Sequence, residues 1–426
     1  MATTEDFDQN AIGFIGDSSE ITWLRRLIKE IGLSGDLDSS YTANNHIEYR
    51  GSAVPELLNT THRPAYKVAC RLFDKYAASV HVSFPVVDAE PFRQQFETYY
   101  QISGSPHQEK LPPILSHQWL AIFYLILAIG KRHHSPIGDS VSAELDEATR
   151  YLVIPFAHNV YYERAMSFRS RCTTSCHSRV SQMQLDLVAS LYLLSTRQMT
   201  RAWSLCNEAI SEAMSLGLHA DLIASNLSEN FKDVRWRLWW SLCGLHYHLS
   251  VMTGRPSLLA QGMTTERVPA STDRFTHVRE ASQKVDPVYP ESGGTVSEIN
   301  STNMEIGQLY FTEISKLVLI GQQMMSRYYS TIKVQQASST KALWIIRELL
   351  NEVDKWSTTL PDGLNTRVTG TPSKSKITSQ RLSLELQYHS IRITITRPTL
   401  DVQVSESTDQ TIGGNLVLKN IWQLNA

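Results

Sequence analysis

Cysteine is scarce in this chain: Cys70, Cys172, Cys176, Cys206 and Cys243 are odd in number and irregularly spread. That excludes a disulfide framework. Cys172 and Cys176, followed by His177, begin a zinc-like pattern, but no second ligand pair follows at suitable spacing, so these residues are read as structural. Neither sign of charge is in excess, because 40 Lys and Arg face 42 Asp and Glu for a formal net charge of -2, and no run of five or more Lys/Arg occurs. A chain so balanced is not expected to grip nucleic acid through its phosphates, which requires clustered cations. Long hydrophobic runs are also lacking. The most apolar one, residues 119–129, falls short of the roughly 20 residues needed to span a membrane, so a buried helix is expected there. The start, MATTEDFDQN, has no signal-peptide pattern, which points to an intracellular compartment and makes the sequons at Asn59, Asn226 and Asn300 chance matches.

Catalytic signatures are missing as well. No Asp-Asp-x-x-Asp, glycine-rich phosphate loop or nucleophile elbow occurs. Gly16-Asp17-Ser18 resembles the nucleophile block of GDSL-type esterases, but neither the preceding strand nor the later Asp-x-x-His of that family is present. The simpler reading is that Asp17, Ser18 or Ser19 caps a helix beginning near Ile21, with Ile21, Leu24, Leu27, Ile28 and Ile31 on its apolar face. Adjacent His133 and His134 point in different directions on a helix, and so do His246 and His248, two positions apart; neither pair suits a metal.

What is present is helical periodicity, and the spacing predicts an all-α chain. Val68, Leu72, Tyr76 and Val80 share a face up to Phe84-Pro85, and Phe92, Phe96, Tyr99 and Tyr100 mark the next helix. Further helices are read over 152–167 and 183–197. Ala202, Leu205, Cys206, Ala209, Ile210, Ala213 and Met214 recur at threes and fours until Gly217. No second copy at a solenoid period turns this region into a repeat. The stretch 233–259 carries Trp236, Trp239 and Trp240, and ends at Gly254-Arg255-Pro256. Trp236, Trp240, Cys243, Tyr247 and Val251 form one apolar stripe; Leu238, Leu242, Leu245, Leu249 and Met252 form another on roughly the opposite side. Such a helix is covered on two sides, and an irregular multi-helix domain around this tryptophan-rich helix is expected. Asp233 is read as its first-turn cap and Gly254 as its left-handed end, with Pro256 preventing continuation. Arg255 and His219 are read as helix-end donors, and Trp203 and Trp344 as packing residues.

Several blocks then resemble the fungal-specific transcription factor domain, the middle region of fungal zinc-cluster regulators. RWRLWWSLCGLHYHLSVMTGRPSLL resembles its tryptophan-rich signature, preceded in the expected order by Gly217, His219 and Asp221. LFDKYAASVHVSFPVVDAEPFRQQF resembles the opening of that domain. IIRELLNEVDKWSTTLPDGL and LSLELQYHSIRITITRPTL, with Tyr388, Arg392 and Arg397-Pro398, resemble its later helices. The division read along the chain is a capped helix and polar linker over 1–63, the core of the domain over 64–260, a Ser/Thr/Pro-rich loop over 261–303 and a C-terminal helical portion over 304–426.

The resemblance implies a regulatory middle domain of a transcription regulator that controls metabolic or secondary-metabolite genes in the nucleus. No basic localisation run stands out. The six-cysteine zinc cluster of that family is absent from this sequence, so zinc is not expected here and DNA would be reached only through an absent module. Expected partners are other transcription proteins or a homodimer partner, with a small-molecule effector as a further candidate and no membrane. Arg255 is the candidate regulatory contact, and no catalytic residue is assigned. Two readings from other classes stand beside this one: an all-helical enzyme of small-molecule or isoprenoid metabolism, and a helical protein-interaction scaffold.

Overall fold

The computed structural model describes residues 15–16, 19–30, 63–102, 116–133, 157–172, 178–220, 227–259, 294–329, 339–361, 363–365 and 377–408. All regular structure among them is helical. In chain order the helices are α1 (Glu20–Glu30), α2 (Tyr66–Ser79), α3 (Ala89–Ile102), α4 (His117–Arg132), α5 (Ala157–Ser170), α6 (Arg179–Ser195), α7 (Met199–Ser215), α8 (Glu229–Thr253), α9 (Gly294–Met324), α10 (Ser339–Thr358) and α11 (Ile377–Thr408). A π-helical turn, Met325–Tyr329, continues α9. α9 thus begins at Gly294, inside the stretch read as a loop. The chain divides into two compact units, one of residues 1–258 and 262–311, the other of 259–261 and 312–426.

In the first unit α4 is buried from Gln118 to Lys131 without interruption. Helix α4 packs against α2, α5 and α6; α6 also packs on α7 and α8, and α1 lies against α8. Ser116 starts α4 by accepting a hydrogen bond from the Trp119 N–H at 3.1 Å, satisfying one of the amides that a first turn leaves free. The α2–α4 crossing is close enough that a β-carbon on Gly130 would run into the Leu72 carbonyl. Around it the rings of Phe73 and Phe92 stack at 5.9 Å, Phe92 and Trp119 at 5.3 Å, and Trp119 and Phe123 at 5.4 Å. Offset stacks of this kind add to the transfer energy of burying large apolar surfaces.

Helix α8 carries both of its apolar stripes inward. Trp236, Trp240, Cys243, Tyr247 and Val251 are buried, as are Leu238, Leu242, Leu245 and Leu249; Met252 is half-buried. Its start differs from the reading of the sequence. The helix begins at Glu229, so Asp233 lies inside it and pairs with Arg237 one turn on at 2.8 Å instead of capping. The added turn holds a single apolar residue, Phe231, 39% exposed, and one such residue sets no period by which the sequence could mark the turn. Trp236 packs edge-on against Phe311 at 5.3 Å.

In the second unit α10 packs on α11. Leu349 and Val353 are buried on α10, and Leu384, Ile391 and Ile395 on α11. The buried Glu313 carboxylate accepts from Trp356 Nε1 at 3.0 Å and from Lys316 Nζ at 2.7 Å, so neither its charge nor the indole N–H is left unsatisfied. Pro398 lies inside α11 and cannot donate to the Thr394 carbonyl. The Tyr329 hydroxyl donates to that carbonyl at 3.1 Å in its place. Trp344, read as a packing residue, is 60% exposed, with the Arg327 guanidinium 5.6 Å from its ring centre. An indole on the outer face of an amphipathic helix keeps the period of the pattern without joining the core.

Three histidines of the first unit are held neutral. Burial, with Arg237 nearby, lowers His81 to about 4; burial, with Arg132 and Lys131, lowers His158 to about 4; burial lowers His246 to about 4. His158 Nδ1 lies 2.9 Å from the Tyr192 hydroxyl, which donates to Asn159 Oδ1, so the imidazole is the donor in that pair.

Replacing Trp240, 2% exposed, should test this packing directly. Trp240→Ala is expected to cost on the order of 3 to 5 kcal/mol in urea unfolding, through lost burial and the cavity left behind. Trp344→Ala on the exposed face should cost less than about 1 kcal/mol.

The pH response is likewise defined. An unfolded chain takes up protons on histidine near 6.5, whereas His81, His158 and His246 resist protonation until about 4. The unfolded state therefore binds more protons in that window, and stability rises with pH across it. Asp186, raised by burial, acts in the opposite sense nearer the carboxylate range. The urea midpoint should fall from about pH 7 to about pH 5, and His158→Gln should flatten that slope.

Candidate functional site

The residues singled out in the sequence gather at the two ends of α7 and α8, within the first unit. Helix α7 ends because Gly217 takes φ +68°. Its N–H donates to the Met214 carbonyl at 3.0 Å and the Leu218 N–H to the Ala213 carbonyl at 2.9 Å. These are the two bonds of a Schellman end, which favours glycine in the left-handed position. Arg235, from the second turn of α8, donates to the Leu216 carbonyl at 3.0 Å and satisfies a further free acceptor. His219 is half-buried, with its ring 6.0 Å from that of Trp239. Trp239 is among the largest fully buried side chains. Asp221 lies outside the described residues.

At the other end of α8, Gly254 takes φ +65° and its N–H donates to the Ser250 carbonyl at 2.8 Å. The segment before α1 docks there. The Gly16 N–H donates to the Thr253 carbonyl at 2.8 Å, and Ser19 accepts from the Thr22 N–H at 3.0 Å to open α1. A β-carbon on Gly254 would sit 2.5 Å from the Ser19 nitrogen and 2.7 Å from the Gly16 oxygen. Glycine is thus needed at 254 twice, for its dihedral angle and for the approach of a second backbone. The glycine-serine block thus has a structural use: Ser19 is the cap, while Asp17 and Ser18 lie outside the described residues.

Arg255 and Pro256 leave this end, Pro256 exposed and Arg255 half-buried. Arg255 donates through Nη2 to Thr200 Oγ1 at 3.0 Å and lies 5.7 Å from the centre of the Trp203 ring. Burial lowers the Arg255 guanidinium from its ordinary value, yet an arginine keeps its charge at any working pH. Trp203 also stacks on His246, ring centres 4.9 Å apart and planes at 29°. His246 Nε2 accepts from the Leu258 N–H at 3.0 Å, so a neutral imidazole carries its proton on Nδ1. Arginine, indole and imidazole thus join the first turn of α7 to the end of α8.

Sequence reasoning named Arg255 and Trp203 separately and missed that they meet. It also missed Thr200 and His246 as their neighbours, and Gly16 as the neighbour of Gly254. No local pattern announces contacts between residues so far apart in the chain.

Such an arrangement can present one cation with an aromatic face and a hydroxyl beside it; it contains no paired acid and base. Among the described residues no group of three or more His, Cys, Asp or Glu comes together to hold a metal. Cys172 donates to the Phe168 carbonyl at 3.4 Å, while Cys176 and His177 lie outside the described residues. Among the described residues no helix is long and apolar enough to cross a membrane. In the second unit a cleft of about 50 Å³ is bordered by Trp356, Leu360, Leu364, Leu384, Tyr388 and His389. That volume is well below the roughly 300 Å³ at which drug-sized ligand sites begin.

Known proteins bear on this geometry. The family described as the fungal specific transcription factor domain matches residues 73–358. "Transcription regulator galc" of Aspergillus niger is 23% identical over 445 residues, covering 92% of this chain and 50% of that protein. "Transcription factor FBD3" of Gibberella moniliformis is 20% identical, covering 93% and 50%. "Lactose regulatory protein LAC9" of Kluyveromyces lactis is 28% identical over 186 residues, covering 44% and 18%. The chain spans about half the length of the first two of these relatives. No solved structure matches it. With a family match running from Phe73 on α2 to Thr358 at the end of α10, the chain belongs to the fungal-specific transcription factor domain family.

Proposed function

We propose that this chain acts as the regulatory domain of a nuclear transcription regulator, receiving a signal and passing it to partners without reading DNA or catalysing a reaction itself. The observation that carries the reading is the family match over 73–358, which takes in α3 to α10 whole, among them the buried α4 of the first unit. The near-balanced charge, net -2, supports the division of labour, because DNA affinity needs concentrated cations. The relative named a lactose regulatory protein supports the expectation that the genes controlled are metabolic ones.

Within this reading the cation at the end of α8 is the contact for a partner or an effector. Arg255 is half-buried and keeps its charge, and its guanidinium is oriented by Thr200 and Trp203. A guanidinium held in this way loses less freedom on binding an anionic group than a mobile one.

The test is a fusion of this chain to a neutral DNA-binding module with a reporter gene. Arg255→Ala should shift unfolding by only about 1 kcal/mol, the scale of one lost hydrogen bond, yet change reporter output. Arg255→Lys keeps the charge and loses the fork, so it should give an intermediate output. Unchanged transcription from folded Arg255→Ala would refute the role of Arg255. A fusion that does not alter transcription at all, under any condition tried, would refute the regulatory reading.

A further inference from the structure

We propose that α11 carries a self-pairing seam, by which two copies of this chain associate through antiparallel α11 helices. The inference does not rest on the regulatory reading above. In the second unit α11 turns Leu384, Ile391 and Ile395 inward, 1%, 1% and 0% exposed. Its opposite side should then be polar. It is not: Leu382, Leu386 and Ile393 are 54%, 70% and 47% exposed, and His389 between them is exposed too.

Single exposed aliphatic residues are ordinary and call for no explanation. Here the spacing matters. Leu382, Leu386, His389 and Ile393 step by four, three and four, the interval of a coiled-coil seam, in which each side chain enters a hole on a facing helix. The step pattern reads the same from either end. With a two-fold axis passing between Gln387 and Tyr388, Leu382 of one copy meets Ile393 of the second copy, and Leu386 meets the second copy's His389. A second copy of the chain therefore matches the seam by its own sequence, as an isologous interface requires.

Charge agrees with that direction. Glu385 borders the seam near one end and Arg392 near the other. Reversal brings the two together twice, carboxylate beside guanidinium. Arg392 is held in place for this by Asp354 and the Tyr388 hydroxyl. A parallel pairing would instead set Glu385 beside Ser390 of the second copy and lose both ion pairs. His389 is the polar residue in the seam, a position that fixes register at some cost in strength.

Four side chains per copy make a small contact, below the roughly 1,200 Å² of standard interfaces, so association on the order of 10 µM is expected. Sedimentation equilibrium of the unaltered chain up to about 200 µM should then show a reversible monomer–dimer equilibrium. Leu386→Glu, at a largely exposed position, should weaken it at least tenfold with unchanged circular dichroism and melting. Direction is tested by oxidising a mixture of Leu382→Cys protein and Ile393→Cys protein. A disulfide-linked heterodimer is expected from the mixture, and much less linked product from either variant alone or from the unaltered chain. A chain that stays monomeric throughout, or a dimer indifferent to Leu386→Glu, overturns the proposal. So does equal cross-linking by Leu382→Cys alone, because it would place like residues opposite each other.

Discussion

Burial of α4 on every side is the constraint from which the first unit follows. A helix apolar nearly all round has no face to give to water, so other elements must enclose it. Helices α2, α5 and α6 do so, and α6 extends the packing to α7 and α8. Where the enclosing helices come closest, side chains are given up for backbone contact, as at Gly130 against Leu72. Where they stand further off, rings fill the space, and the series Phe73, Phe92, Trp119 and Phe123 is the result. Close packing of this kind leaves little room for a preformed cavity.

The contact proposed at Arg255 accordingly lies at a helix end and not in the interior. Helix α8 shows how an end is made specific. Its cap, Gly254, is left-handed, the carbonyl of its last residue, Thr253, is taken by the Gly16 N–H, and Arg255, next after the cap, is turned against Trp203 and Thr200. A change in any one of these partners alters the orientation of the guanidinium without requiring the core to repack. The same logic holds at α11, where Pro398 withdraws a donor and Tyr329, from the π-helical turn, supplies one. Stability is spent locally to hold a chosen geometry.

The two proposals concern different units and different physics. The contact proposed at Arg255 is a charge oriented by Thr200 and Trp203; the one proposed along α11 is an exposed apolar stripe that meets its like. The first depends on pre-organisation of a side chain, the second on the symmetry of a spacing.

Much of the fold was determined by the sequence alone, for a physical reason: helical period, the left-handed glycines at 217 and 254, and apolar runs such as 119–129 are local signals, set within a few residues of the chain. The family resemblance in the order of blocks is local in the same sense. The start of α8 escaped because its first turn holds only one apolar residue, the exposed Phe231, and Trp344 was misplaced because periodicity says which residues share a face but not which face meets the core. Tertiary structure alone decided the rest. It brought Gly16 to Gly254, Trp203 to both His246 and Arg255, and Tyr329 to the carbonyl left free by Pro398. Those meetings join positions far apart in the chain, and only the packing of helix on helix determines which of them face each other.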